Sequence, residues 1–290
     1  MTVRLVTDST AYLPDELVAG HAVEVVPLHV VVGGTDHVEG HGVGPEDVAG
    51  ALRDYTIVTT SRPTPQAFLE TYTRLADEGA DAVVSVHLSS LMSGTVEAAR
   101  QAASEAPVPV HVIDSGTLGM AMGFAVLEGA RVAELDGELD EVVEQVERRL
   151  ASSLVLFYVH TLEHLRRGGR IGAASALLGS ALSIKPILTV RDGRIVPVEK
   201  VRTSSRAIAR IEALVAQHVT DGGLAVDVAV HHLEAAERAE TVAGHLRALP
   251  GVREVVVVQL GAVVGAHVGP GTVAIAVSPR LGEPLPAARP

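Results

Sequence analysis

Four short stretches place hydroxyls, a histidine or guanidinium groups where the chain turns. "LSSLMSGT", residues 88–95, ends an apolar run and opens a helical pattern. The first N–H groups of a helix lack intrahelical partners and favour an anion. Ser93 and Thr95 add hydroxyls there, which suits a carboxylate or phosphate and equally an ordinary serine cap. "TTSRPTP", residues 59–65, offers Thr59, Thr60 and Ser61 ahead of a helix capped by Thr64. "LRRGGRIG", residues 165–172, sets Arg166, Arg167 and Arg170 around two glycines. Planar guanidinium forks fit oxyanions. "GAHVGPG", residues 265–271, holds His267 among glycines that permit close backbone approach. Its ring suits a hydrogen bond to a carboxylate, or a structural role in a loop.

Other chemistries find less support. Asp8-Ser9-Thr10 lacks the second aspartate of a D-x-D-x-T phosphatase pattern, and Asp114-Ser115-Gly116 reads as a turn. Ser93 lies in no G-x-S-x-G elbow, and no acid is marked to orient His267. A Ser93/His267 hydrolase or phosphotransferase therefore stands as the alternative, with a lipid-responsive regulator as a third reading. No G-x-x-x-x-G-K-[ST] occurs, so a P-loop is excluded. His231 and His232 are adjacent in a strand-like stretch, where neighbours point opposite ways, so they form a poor metal pair.

The totals narrow the field. The 290 residues are 47% hydrophobic and 20% charged, which predicts a packed globular protein. Aromatics are 2% with no Trp, which argues against nucleic acid stacked on aromatic platforms. The absence of Cys removes disulfides, thiol catalysis and Cys-ligated zinc, and suits a reducing cytoplasm. "MTVRLVTDST" has no signal-peptide pattern, and no apolar run is long enough to span a membrane. Membrane contact is expected to be transient at most. The net charge of −12 is uneven: ten Arg or Lys and two acids lie between Arg166 and Arg210. A basic segment in an acidic protein points to an anionic ligand or an acidic partner surface.

These residues need elements to hold them. "VRLVTDS", "EVVPLHVVVGG", "DAVVSVHLSS" and "VPVHVIDSG" read as strands, interleaved with helical patterns such as "TPQAFLETYTRLADEG" and "TLGMAMGFAVLEGARVAEL". This alternation predicts an α/β fold with a parallel sheet flanked by helices, and ligands at the carboxyl ends of its strands. Downstream, "ILTVRDGRIVPV" signals a hairpin around Asp192-Gly193. "LAVDVAVHHL", "REVVVVQLGAVVGAHVGPG" and "TVAIAVSP" read as further strands of a second, mixed α/β domain. The expected division is a parallel α/β domain over 1–152, a mixed α/β domain over 153–282 and a tail over 283–290.

Taken together, "TDSTAYLP", "TTSRPT", "SSLMSGT", "DSG", "LRRGGRIG", "KPIL", "GRIVPVEKVR" and "GAVVGAHVGPGTV" resemble the DegV family in order and spacing, over about residues 3–280. That resemblance implies a two-domain fold with a tunnel for one long-chain fatty acid, the bound ligand in place of any cofactor. It implies that Thr60, Ser61, Ser93 and His267 contact the carboxylate. Arg170 and Arg202 match family arginines near the head group, concerned with acyl phosphate and the encounter with a kinase. The implied partners are the ATP-binding subunit of a fatty acid kinase and an acyl-phosphate-using acyltransferase, with this chain a carrier and not an enzyme. The family commonly has Gln where Arg62 stands, so Arg62 is expected to face the head group or the kinase, adding a charge by the pocket mouth, or else to point to solvent; it commonly has Leu where Met92 stands, and "HHLEA" replaces its usual His-Ala-Gly segment. "LGMAMGFAVL" and "ASALLGSAL" combine small residues with Leu and Met. Met120, Met122, Leu177 and Leu178 are therefore expected to line the tunnel, with plain helix packing as the other reading.

Overall fold

The computed structural model describes residues 1–178 and 184–285. The chain opens with β1 (Val3–Asp8), α1 (Asp15–Val18), β2 (Val23–Val26), β3 (His29–Val32) and β4 (Thr35–Val38). It continues through α2 (Pro45–Arg53), β5 (Val58–Ser61), α3 (Pro65–Asp77), β6 (Ala82–His87), α4 (Thr95–Ala103) and β7 (Val110–Asp114). Two long helices follow, α5 (Met120–Glu134) and α6 (Leu139–Ser152). The remainder is β8 (Leu154–Tyr158), α7 (Glu163–Arg167), β9 (Lys185–Arg191), β10 (Arg194–Val201), α8 (Ser204–Gly222), β11 (Leu224–His232), α9 (Ala236–Arg247), β12 (Val252–Gln259), α10 (Ala262–Val268) and β13 (Val273–Pro284).

A four-stranded sheet, ordered β2-β1-β6-β7, is parallel throughout. β6 is buried along its whole length, as a central strand covered on both faces must be. Phe68 and Tyr72 of α3 pack with Ala98 and Ala99 of α4 on one face. Met122 and Val126 of α5 and Val142 and Val146 of α6 lie on the other. The six-stranded sheet, ordered β10-β9-β8-β13-β11-β12, is mixed, with only β11 and β12 parallel. Asp192 and Gly193 join β9 to β10 with φ of 49° and 72°, the left-handed pair a tight hairpin turn requires.

Two strand expectations change. "EVVPLHVVVGG" is not one strand. Pro27 lacks an N–H, so the chain breaks there. β2 then joins β1, while β3 turns away into a separate antiparallel sheet, β4-β3-β5. Residues 253–271 are not one strand either: β12 ends at Gln259 and α10 occupies 262–268. Nearly every residue of α10 is buried, and an apolar run buried all round shows neither helical nor strand periodicity. β13 reaches Pro284, the second residue of the expected tail. Residues 286–290 of that tail, and residues 179–182 of "ASALLGSAL", lie outside the described residues.

Candidate functional site

A cavity of about 360 Å³ opens between the two larger sheets and the small one. Leu118, Val155, Phe157, Val190, Ile195 and Leu260 give it an apolar wall. One end is polar: Thr60, Ser61, Arg62, Ser93, Arg170 and His267 all line it. An apolar recess with a few convergent polar groups is the usual form of a small-molecule site.

Thr60 is on β5, and its Oγ1 lies 2.8 Å from Nε2 of His267 on α10. Ser93 Oγ is 2.8 Å from Thr95 Oγ1 at the start of α4. Arg170 donates from Nε to the Met92 carbonyl at 2.9 Å and from Nη1 to the Gly168 carbonyl at 2.6 Å. It thus bridges the serine-rich loop and the end of α7. Arg62 folds back to donate from Nη1 to the Gly94 carbonyl at 2.9 Å. Ser61 and Arg62 are exposed at the rim, and Thr60, Ser93, Arg170 and His267 sit deeper.

Among the described residues no hydrogen bond joins Ser93 to His267, and no carboxylate orients the ring. His267 Nδ1 is buried without a partner among the described residues. It faces Gly168, where an added Cβ would overlap it. A hydroxyl–imidazole–carboxylate chain does exist elsewhere. Ser85 Oγ is 2.7 Å from His87 Nε2, and His87 Nδ1 is 3.1 Å from Asp8 Oδ2. All three are fully buried and none lines the cavity.

Burial, then the charge of Arg170, pushes the His267 pKa down to about 4. Burial, then His232, does the same to His231, also to about 4. The fold therefore holds both rings neutral, while the unfolded chain protonates them near their ordinary 6.5. A depressed folded-state value contributes stability that is complete above 6.5 and is lost as pH falls toward 4. Glu39, whose pKa burial raises, works against this trend and offsets part of it. The melting temperature is thus expected to be level above neutrality and to fall through this window. His267→Asn should flatten the fall; an unchanged slope would remove His267 as a contributor.

The site rests on residues to which the sequence reading gave no such role. Asp8 Oδ2 accepts the Leu88 N–H at 2.9 Å, and Oδ1 accepts Thr10 N–H at 3.0 Å, which fixes where the serine-rich loop departs. Ser90 N–H donates to Asp114 Oδ1 at 3.1 Å, and Ser89 Oγ to the Gly193 carbonyl at 2.8 Å. So the first two serines of "SSLMSGT" anchor the loop, and only Ser93 meets the cavity. Glu39 Oε1 accepts the Val263 N–H at 2.8 Å and Oε2 accepts the Ser9 hydroxyl at 2.5 Å. The Tyr12 hydroxyl accepts the Val264 N–H at 3.2 Å. These groups satisfy the free N–H groups of α10 and hold the helix that carries His267. "HVEGHG" around Glu39 gives no cap signature, because the helix it serves lies more than 200 residues away.

Several expected residues fall elsewhere. Met120 and Met122 are fully buried, but among packed helix and sheet side chains, away from the cavity wall. Leu177 packs with Leu165 and Ile195 behind that wall, and Leu178 is exposed. The helical spacing of the methionines faces them to β1 and β13, so packing is the correct reading. Arg202 is exposed at the end of β10 and does not line the cavity. The basic segment is partly neutralised: Arg166 and Arg167 share Glu163, and Arg210 pairs with Glu199. His231 lines the cavity, while His232 turns to the opposite face of β11 toward Glu240. Among the described residues no helix is long and apolar enough to cross a membrane, and no group of three or more side chains is arranged to hold a metal.

Comparison with known proteins agrees with this architecture. A DegV domain-containing protein of Streptomyces coelicolor is 52% identical over 279 residues, covering 96% of this chain and 99% of its own. One from Mycobacterium tuberculosis is 39% identical, covering 96% and 97%. The solved structure of a fatty-acid-binding DegV family protein from Thermus thermophilus superposes with a TM-score of 0.88 at 36% identity, over 97% of this chain and all of the other. DegV of Bacillus subtilis, a fatty acid binding protein, gives 0.88 at 33% identity over the same shares. The family described as "Uncharacterised protein, DegV family" matches residues 2–280, which takes in every strand that builds the cavity except the end of β13. By sequence and by fold, this chain belongs to the DegV family.

Proposed function

We propose that the protein binds one long-chain fatty acid, with the tail in the apolar cavity and the carboxylate at Thr60, Ser61, Ser93 and His267. The observation that carries this reading is the cavity itself: a deep apolar wall ending in hydroxyls, an imidazole and two arginines. A C16 chain gains about 11 kcal/mol of gross transfer free energy at roughly 0.8 kcal/mol per buried methylene. Association entropy removes part of that. The tail supplies affinity and the polar end fixes direction. Arg170 and Arg62 give the head group a positive surrounding, fit for a carboxylate and for the greater charge of an acyl phosphate.

In this reading the protein presents the carboxylate to a separate ATP-dependent fatty acid kinase in the cytoplasm. It then carries the acid or its acyl phosphate toward an acyltransferase of phospholipid synthesis. Arg202, exposed at the end of β10, belongs to the surface offered to the kinase. Denaturing and native mass spectrometry of the purified protein test the first step. A co-purifying or readily loaded fatty acid is expected, and none by either route would overturn it. Thr60→Val with Ser93→Ala should weaken binding roughly 10- to 100-fold, the effect of losing charge-assisted hydrogen bonds. Equal affinity in that double variant would remove both hydroxyls from the head-group site. For the second step, acyl-phosphate formation should require both proteins, with ATP bound only by the kinase.

A further inference from the structure

We infer that His231 selects an acyl chain bearing an oxygen along its length, a hydroxy or oxo fatty acid. The inference rests on the fatty-acid reading and narrows it. His231 is 3% exposed and lines the cavity. Its Nε2 lies 3.1 Å from the Met120 backbone N–H at the start of α5. A backbone N–H can only donate, so Nε2 carries the lone pair and the ring proton is on Nδ1. That Nδ1–H has no hydrogen-bond partner among the described residues. The cavity wall therefore contains a donor without an acceptor, held in orientation from its other side; unlike His267 Nδ1 it keeps some accessible surface, which a bound chain would cover.

The register of the sheet shows where along the chain that donor acts. His231 is paired with Ala274 of β13, and Ala274 with Phe157 of β8; all three line the cavity. Val155, two residues further along β8, lines it as well, so the wall continues past the level of His231. The donor thus meets the middle of a bound chain, not its carboxylate. Methylenes there would leave the N–H unsatisfied in an apolar surrounding, which is costly. An in-chain oxygen accepts the bond and removes that cost. Leu118, Leu260 and Phe157 surround the same region and offer no competing polar group.

The test compares octadecanoic acid with positional series of its hydroxy and oxo derivatives, by competition against a fluorescent fatty acid. One position, or two adjacent ones, should bind about ten-fold tighter than the parent acid, in both series. The oxo series matters because a ketone can only accept. Preference for hydroxyl alone would mean an acceptor on the protein and would overturn the inference. A flat series in the wild type would overturn it too. His231→Gln keeps an acceptor for Met120 and a donor for the ligand, and should retain the preference. His231→Leu should lose it; a preference that persisted in His231→Leu would exclude His231. If His231→Leu fails to fold, the wild-type series and His231→Gln still decide. If no acid of any kind binds, the fatty-acid reading itself fails.

Discussion

Gly168→Ala is expected to weaken fatty-acid binding roughly 100-fold while leaving the fold in place. The backbone at Gly168 has φ −73° and ψ −8°, ordinary right-handed helical values. Alanine adopts these freely and favours helix more than glycine does. The obstacle is wholly in the side chain. An added Cβ would overlap His267 Nδ1 and stand 2.7 Å from its Cε1. The ring cannot retreat, because Thr60 Oγ1 holds Nε2 at 2.8 Å on its other edge. It must leave the cavity wall and break that bond. The double variant Gly168→Ala/His267→Ala should recover stability without recovering affinity, and the two substitutions should be strongly non-additive. Isothermal titration of each variant with a fatty acid, beside urea melts, separates the two effects. Normal affinity in Gly168→Ala would show that His267 has no part in binding.

Asp227→Ala is expected to cost about 3–5 kcal/mol of stability, the largest loss from any single ion-pair residue. Arg149 of α6 is buried, with Nη2 2.6 Å from Asp227 Oδ2 and Nε 3.0 Å from Ser278 Oγ. Its Nη1 reaches Glu128 at 3.3 Å, and its guanidinium lies 5.6 Å from the Phe124 ring centre. Asp227 Oδ1 also accepts from Arg280 Nε at 2.8 Å. Removing the aspartate leaves the buried Arg149 with only its longer contact to Glu128 for a charge partner and loosens Arg280. Arg149→Leu should cost less, because Arg280 remains to pair Asp227. Replacing both Arg149 and Asp227 by apolar residues should be milder than Asp227→Ala alone, since no buried charge is then left unmatched. Urea unfolding midpoints across the three variants test that order. If Asp227→Ala were the mildest of them, this network would not be what holds α6 to the second sheet.

The sequence carried the first sheet well, because strand, turn and helix alternate there with clear glycine and proline punctuation. It carried the polar end of the cavity too. Thr60, Ser61, Ser93, Arg170 and His267 stand in short motifs beside turns and are brought together as expected. It did not carry α10, whose residues are buried all round and so show no face. Nor did it carry Glu39, Tyr12 or Asp8. Each binds a backbone N–H far along the chain, in Asp8's case beside a local bond to Thr10, and a sequence records no trace of such a distant bond. Met120 and Met122 misled for a related reason: adaptable side chains suit a tunnel and a packed core equally, and only their partners decide. His231 drew notice as a poor metal ligand, and its place on the wall follows from a strand register that only folding reveals.

The bond between Thr60 and His267 spans 207 residues, and Ser93 and Arg170 come from two further parts of the chain. No fragment of the protein could assemble this end of the cavity alone. A fatty acid seated there as proposed would act as a staple: it would tie early and late segments together, and its binding free energy would add to the work of unfolding. With a fatty acid bound as proposed, the protein would resist proteolysis and heat more than the empty form does.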